Sequence, residues 1–182
     1  EDDNALIFEL AQFYPMLAIM ENGQWQCGEY FMDGECFYTR CADFDITLHV
    51  PEDYLVVASG EEIRDTQDGQ TVWKVHAENM RDVTIVTGNQ YDSVSGEMNG
   101  VKVTSYFLKK SDSPKGDPDA DANREQGTRS LDAALQAISA FTEAYGPHPY
   151  GELDVLESCY TYGGMEAPGL VRISQMYSWF IG

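Results

Sequence analysis

The chain has 182 residues, 43% of them hydrophobic and 12% aromatic, and its 31 acidic and 11 basic side chains give a formal net charge of −20. This charge argues against nucleic acid or an anionic membrane surface as a partner, because both are bound through clusters of Lys and Arg. The hydrophobic content excludes a disordered chain, and no apolar run approaches the roughly 18 residues of a membrane span. No signal peptide is recognisable, which leaves the compartment open.

The first 110 residues are predicted to form short antiparallel strands, arranged as a β sandwich or a saddle-shaped sheet. Phe44, Ile46 and Leu48 alternate with polar residues, which is typical of a strand with one buried face. A turn at Asn99-Gly100 precedes a predicted strand at 101–108. Further strands are predicted at 54–58, 72–77 and 83–87.

The cysteines leave two alternatives open. They are Cys27, Cys36, Cys41 and Cys159, and the spacing of the first three matches no zinc-binding pattern. Residues 25–41 predict a hairpin whose loop contains Gly34. A hairpin centred on Gly34 would place Cys27 opposite Cys41, so one disulfide and four reduced thiols are both consistent with the sequence.

A helix is predicted over residues 131–145, after a polar segment at 110–126 that is typical of an exposed linker. Apolar side chains recur in the helix at intervals of three and four residues and form one continuous stripe. Ser130 is expected to cap its first turn, and Gly146-Pro147 to end it. The stripe residues that we expect to be buried are Leu131, Leu135, Ile138 and Phe141.

The residue pattern by itself predicts no catalytic machinery. The three histidines are His49, His76 and His148, and none belongs to an H-E-x-x-H sequence. Nucleophile-elbow, phosphate-loop and dinucleotide-binding motifs are also missing from the sequence. Composition and spacing therefore indicate an acidic, β-rich globular chain and nothing more specific.

The segment from Tyr145 to Ser174 resembles a known family. Its residues Gly163-Gly164-Met165-Glu166-Ala167-Pro168-Gly169 follow the predicted helix and the segment Gly146-Pro147-His148-Pro149-Tyr150. The order is similar to that of the zinc aminopeptidases, or gluzincins, typified by membrane alanyl aminopeptidase, aminopeptidase N and leukotriene A-four hydrolase. Segments 11–25, 44–61 and 77–88 look like the N-terminal β domain of bacterial members.

The resemblance implies a fold and a division of the chain. The fold would be an antiparallel β sandwich or saddle, followed by the opening helix and strands of a thermolysin-like catalytic domain. Together with the change in composition it predicts an N-terminal β domain at 1–111, an acidic linker at 112–127 and the start of the catalytic domain at 128–182.

The resemblance also implies a site that binds peptides by a free amino terminus. Glu166 would accept a charge-assisted hydrogen bond from the substrate ammonium, and Gly163, Gly164 and Met165 would line the substrate strand. Ala167 departs from the Asn or Tyr of the family, so contacts made by that side chain are not carried over.

The zinc ligands of the family lie in an H-E-x-x-H sequence and a later glutamate, a few tens of residues after the glycine-methionine-glutamate motif. The sequence given ends at Gly182 without them. We therefore expect a zinc-dependent parent aminopeptidase, and an isolated chain that is inactive, binds no zinc and contains no catalytic or metal-binding residue. The alternative is a non-catalytic, β-rich binding or interaction module derived from the same family.

Overall fold

A computed structural model describes residues 7–27, 38–68, 70–109, 118–158 and 163–174, without the side chains of 118–120. Within these ranges the backbone forms strands and one long helix. The strands are β1 (Ile7–Ala11), β2 (Ile19–Glu21), β3 (Gln24–Gln26), β4 (Ala42–His49), β5 (Leu55–Ala58), β6 (Glu61–Gln67), β7 (Gln70–Met80), β8 (Thr84–Gly88), β9 (Tyr91–Met98), β10 (Val101–Leu108), β11 (Glu152–Ser158), β12 (Gly164–Ala167) and β13 (Leu170–Ser174), and the helix is α1 (Pro118–Tyr145).

The described strands form four sheets. Two have three strands, in the orders β1-β8-β5 and β4-β7-β6, and β2 and β3 form a separate pair. The fourth sheet has five strands in the order β12-β13-β11-β10-β9. Only its β10–β11 and β11–β13 pairs are parallel, and every other pair is antiparallel. The predicted fold class, antiparallel β followed by a helix and further strands, is confirmed.

Three apolar cores stack these elements into layers. The sheets β4-β7-β6 and β1-β8-β5 enclose the first core, to which they contribute Val75 and Ile85. The other face of β1-β8-β5 packs against the five-stranded sheet through Val86 and Leu156. Helix α1 covers the far face of the five-stranded sheet, where Leu131 belongs to the third core. The five-stranded sheet is therefore sandwiched between a second sheet and a helix.

Helix α1 begins at Pro118, well before the predicted start at residue 131. The last residues of the predicted linker are thus helical, and Ser130 lies inside the helix and does not cap it. Gly127 explains how this stretch lies against β10, because a Cβ on it would lie 2.2 Å from Cδ1 of Phe107. The prediction placed the start too late because the first turns carry no apolar stripe.

The expected burial of the helix stripe is correct at Leu131 and Ile138, which are 7% and 4% exposed. Leu135 is half-buried, and the prediction is wrong for Phe141, which is 61% exposed and packs on the ring of Tyr145 at 6.1 Å. The 28 residues of α1 span roughly 42 Å, whereas the eight residues of β10 span about 27 Å. The helix is longer than the strands on which it packs, so its stripe is not covered along its whole length.

Hydrogen bonding places strands β9 and β10, before the predicted linker, in one sheet with strands β11, β12 and β13, after it. The linker predicted at 112–127 thus falls inside a unit made of this sheet and α1. The division into 1–111, 112–127 and 128–182 stays a prediction, and the short connection between β8 and β9 is a second place at which the sheets divide.

Cys27 and Cys41 are free thiols, and both are exposed. Cys36, Cys159 and the loop around Gly34 lie outside the described residues.

Candidate functional site

Of the residues that the resemblance assigns to substrate binding, Gly164, Met165 and Glu166 lie on β12 and Gly163 directly precedes it. Strand β12 forms a tight hairpin with β13. Ala167 and Leu170 are register partners at its end, so the loop between them is Pro168-Gly169. Gly169 has a φ of 72°, a left-handed conformation that glycine adopts without steric cost. Proline followed by such a glycine is the sequence that a type II turn requires. The local sequence therefore fixes where the hairpin closes.

Two glycines shape the other end of this hairpin. Gly163 has a φ of 79°, and its carbonyl accepts a hydrogen bond from the amide of Ser174 at 2.7 Å. A Cβ on Gly164 would lie 3.2 Å from the carbonyl oxygen of Arg172, which leaves little room for a side chain. The two glycines let the backbone of β12 begin close to that of β13.

Strand β12 is at one end of the five-stranded sheet, and no described strand pairs with its outer edge. Such an edge presents amide and carbonyl groups with which an extended peptide can pair as an added strand. Met165 and Glu166 are both exposed. Glu166 is paired in register with Val171, and Val171 with Val155. Val155 lies on the same face of β11 as Leu153, which packs against the core beneath the helix. The carboxylate thus lies beside the free edge, on the face that α1 partly covers.

On the opposite face of the hairpin, a buried ion pair joins β13 to β1. Arg172, the register partner of Met165, is 5% exposed. Its Nη1 lies 2.9 Å from Oε2 of Glu9 on β1. Ser158 Oγ donates a hydrogen bond to the other carboxylate oxygen of Glu9 at 2.5 Å. A buried ion pair of this kind is favourable only when its hydrogen bonds are satisfied.

A cluster of acidic side chains, Glu62, Asp154 and Glu152, lies next to the β12–β13 hairpin. The amide of Ala58 donates to Oε1 of Glu62 on β6, and the buried Asp154 on β11 lies near enough to influence it. Burial, assisted by the negative charge of Asp154, raises the pKa of Glu62 to about 8. Burial also raises the pKa of Asp154 to about 7, assisted by Glu152. At neutral pH Glu62 is therefore mainly protonated.

This cluster contacts the site through the backbone, because the amide of Asp154 donates to the carbonyl of Gly169 at 2.9 Å. Sequence reasoning missed Asp154, Glu62 and the Glu9–Arg172 pair. The available signal was a charged residue between two apolar neighbours: Asp154 lies between Leu153 and Val155 in β11, and Arg172 lies between Val171 and Ile173 in β13.

The described residues do not fit a zinc ion. No group of three or more His, Cys, Asp and Glu side chains among them could hold a metal. Nδ1 of His76 lies 2.7 Å from Oδ1 of Asp45, and Nδ1 of His148 lies against the backbone of Tyr150. No described helix is long and apolar enough to cross a membrane.

Comparisons with known proteins find the fold in solved structures but find no related sequence. No protein-family profile and no curated protein sequence matches the chain. Among solved structures, an M1 zinc metallopeptidase from Deinococcus radiodurans is similar, with a TM-score of 0.52 and 13% identity. A point variant of an M1 zinc metallopeptidase from the same organism has a TM-score of 0.51, also with 13% identity. Each alignment covers 74% of this chain and 30% of the neighbour, so the chain spans under a third of those enzymes. At this identity the likeness shows the fold alone.

Proposed function

We propose that this chain is part of a zinc-dependent aminopeptidase of the M1 type, in which it binds the amino-terminal end of a peptide. The observation that carries the proposal is the outer edge of β12, with which no described strand pairs and which places Gly164, Met165 and Glu166 at the end of the five-stranded sheet. The shared fold with M1 zinc metallopeptidases supports the same assignment.

The chemistry of β12 suits a peptide with a free amino terminus. The backbone of the edge strand pairs with the substrate main chain, which aligns the substrate without selecting its side chains. The exposed carboxylate of Glu166 accepts a charge-assisted hydrogen bond from the substrate ammonium. This contact fixes how far the peptide slides along the edge, and therefore which peptide bond is presented for cleavage.

The hydrolytic step is assigned to no described residue. The zinc ligands and the general base of the proposed enzyme would belong to other parts of a longer protein. The contribution of this chain is binding and alignment, which lowers the barrier by holding the substrate in a reactive geometry.

The test uses the full-length protein with aminoacyl-p-nitroanilides and with the same compounds acetylated on the amino group. We expect hydrolysis of the free amines alone, its loss after treatment with a chelator and its recovery with added zinc. Peptide binding without hydrolysis of any substrate would overturn the enzyme proposal and favour the non-catalytic binding module.

A further inference from the structure

Strand β13, which pairs with the strand that carries Glu166, is joined by an ion pair to β1, the first strand of the described residues. Glu9 on β1 and Arg172 on β13 form an ion pair between side chains that are 18% and 6% exposed. One carboxylate oxygen of Glu9 accepts a hydrogen bond from the guanidinium of Arg172 at 2.9 Å, and the other accepts one from the hydroxyl of Ser158 at 2.5 Å. Both carboxylate oxygens are thus engaged by neighbouring strands of the five-stranded sheet.

The residues that bind Glu9 lie next to the residues that precede Glu166 in the sheet. Arg172 is the register partner of Met165, the residue that precedes Glu166. Ser158 is the register partner of Ser174, whose amide donates to the carbonyl of Gly163. Movement of β13 relative to β1 would therefore be transmitted to both ends of the segment that leads to Glu166.

An ion pair restrains the distance between the two strands that it joins more closely than apolar packing does. Apolar packing between two sheets is non-directional and tolerates small displacements. A buried guanidinium and carboxylate are satisfied only at hydrogen-bond distance, and their separation exposes each to a large desolvation penalty. The pair consequently fixes the position of β13 relative to the sheet β1-β8-β5 more tightly than the surrounding apolar residues do.

We propose that Glu9 and Arg172 are positioning residues for the peptide-binding edge: they hold β12, and with it the Glu166 carboxylate, in register with an incoming substrate. This inference rests on the proposed role of Glu166. Alignment of reacting groups is sensitive to displacements of about 1 Å, so a network on the face opposite Glu166 affects binding without touching the substrate.

The first experiment measures hydrogen exchange in the chain itself. Glu9→Gln removes the charge from the pair, and Ser158→Ala removes one hydrogen bond while both charges remain. We expect exchange in residues 163–174 to rise about tenfold or more in each variant, because Glu9→Gln removes the charge from both hydrogen bonds of the carboxylate and Ser158→Ala removes one hydrogen bond to that charge. Exchange in β7 should not change.

The matched control is Glu97→Gln, since Glu97 is an exposed carboxylate on β9, the opposite end strand of the same sheet. It should leave exchange in 163–174 unchanged. If Glu9→Gln does not fold, Ser158→Ala decides. Unchanged exchange in 163–174, or an equal rise in β7, would overturn the proposal.

The second experiment separates positioning from general stabilisation, in the full-length protein. If Glu9 acts through Glu166, Glu9→Gln should lower kcat/KM about tenfold for a free-amine substrate in the parent, and less than about twofold in the Glu166→Ala background. Additive losses would overturn the positioning role. A full-length protein without peptidase activity would overturn the proposed function instead, and the exchange experiment would still decide whether the pair holds β12.

Discussion

Replacing Glu62 with Gln should stabilise the fold at neutral pH. Glu62 has its pKa raised from 4.5 to about 8 by burial and by the charge of Asp154, so the folded chain binds a proton at this site more tightly than the unfolded chain does. Stability is therefore lost as the pH rises from about 4.5 towards 8. Gln keeps the oxygen that accepts the amide of Ala58, but it carries no charge to desolvate.

The size of the effect follows from the two pKa values. Between them each pH unit costs about 1.4 kcal/mol, so the penalty is about 1 kcal/mol at pH 5 and about 3 kcal/mol at pH 7. Urea unfolding of both chains at pH 5, 6, 7 and 8 should show the advantage of Glu62→Gln growing with pH. The same change at the exposed Glu97 should alter the free energy of unfolding by less than about 0.5 kcal/mol at every pH. An advantage that does not grow with pH, or a variant less stable at pH 7, would refute the reasoning.

Two further predictions concern helix α1. Gly127→Ala should lower the free energy of unfolding by about 2 kcal/mol, because its Cβ would overlap the ring of Phe107, whereas Gly151→Ala, which meets no atom within 4 Å, should cost less than about 1 kcal/mol. Leu131→Ala should cost about 2–5 kcal/mol and Phe141→Ala less than about 1 kcal/mol, in line with their 7% and 61% exposure. Urea unfolding measures all four, and equal losses at Leu131 and Phe141 would contradict the described packing of the helix.

Local sequence patterns predicted the elements that carry a clear hydrophobic period. Strand β10 lies where the alternating residues and the Asn99-Gly100 turn predict it. Strands β6 and β9 went unpredicted because each is an end strand with mostly exposed, polar side chains. The exposure of Phe141 could not be predicted from the sequence. A periodic stripe shows which side chains share a face of the helix, but not how far the sheet that covers that face extends.

In the candidate site, too, residues that are contiguous in sequence could be selected in advance, and residues brought together only by folding could not. The glycine-methionine-glutamate motif and its Pro168-Gly169 turn are contiguous in sequence, so the resemblance alone leads to Glu166, whose role stays a prediction. The ion pair behind it joins residues 163 positions apart, and no local pattern specifies which carboxylate meets Arg172. Buried acids such as Asp154 are equally hidden, because their burial depends on sheets that pack only in the folded chain.

The central claim is that Glu166 binds the substrate amino group, and kcat/KM of the full-length protein for a free-amine substrate tests it most directly. Glu166→Ala should lower kcat/KM about 10–150-fold, the equivalent of one charge-assisted hydrogen bond, with zinc content unchanged. Glu166→Gln should recover part of the loss, and Glu97→Ala should have no effect. A Glu166→Ala variant within about twofold of the parent, or one that no longer binds zinc, would contradict the account.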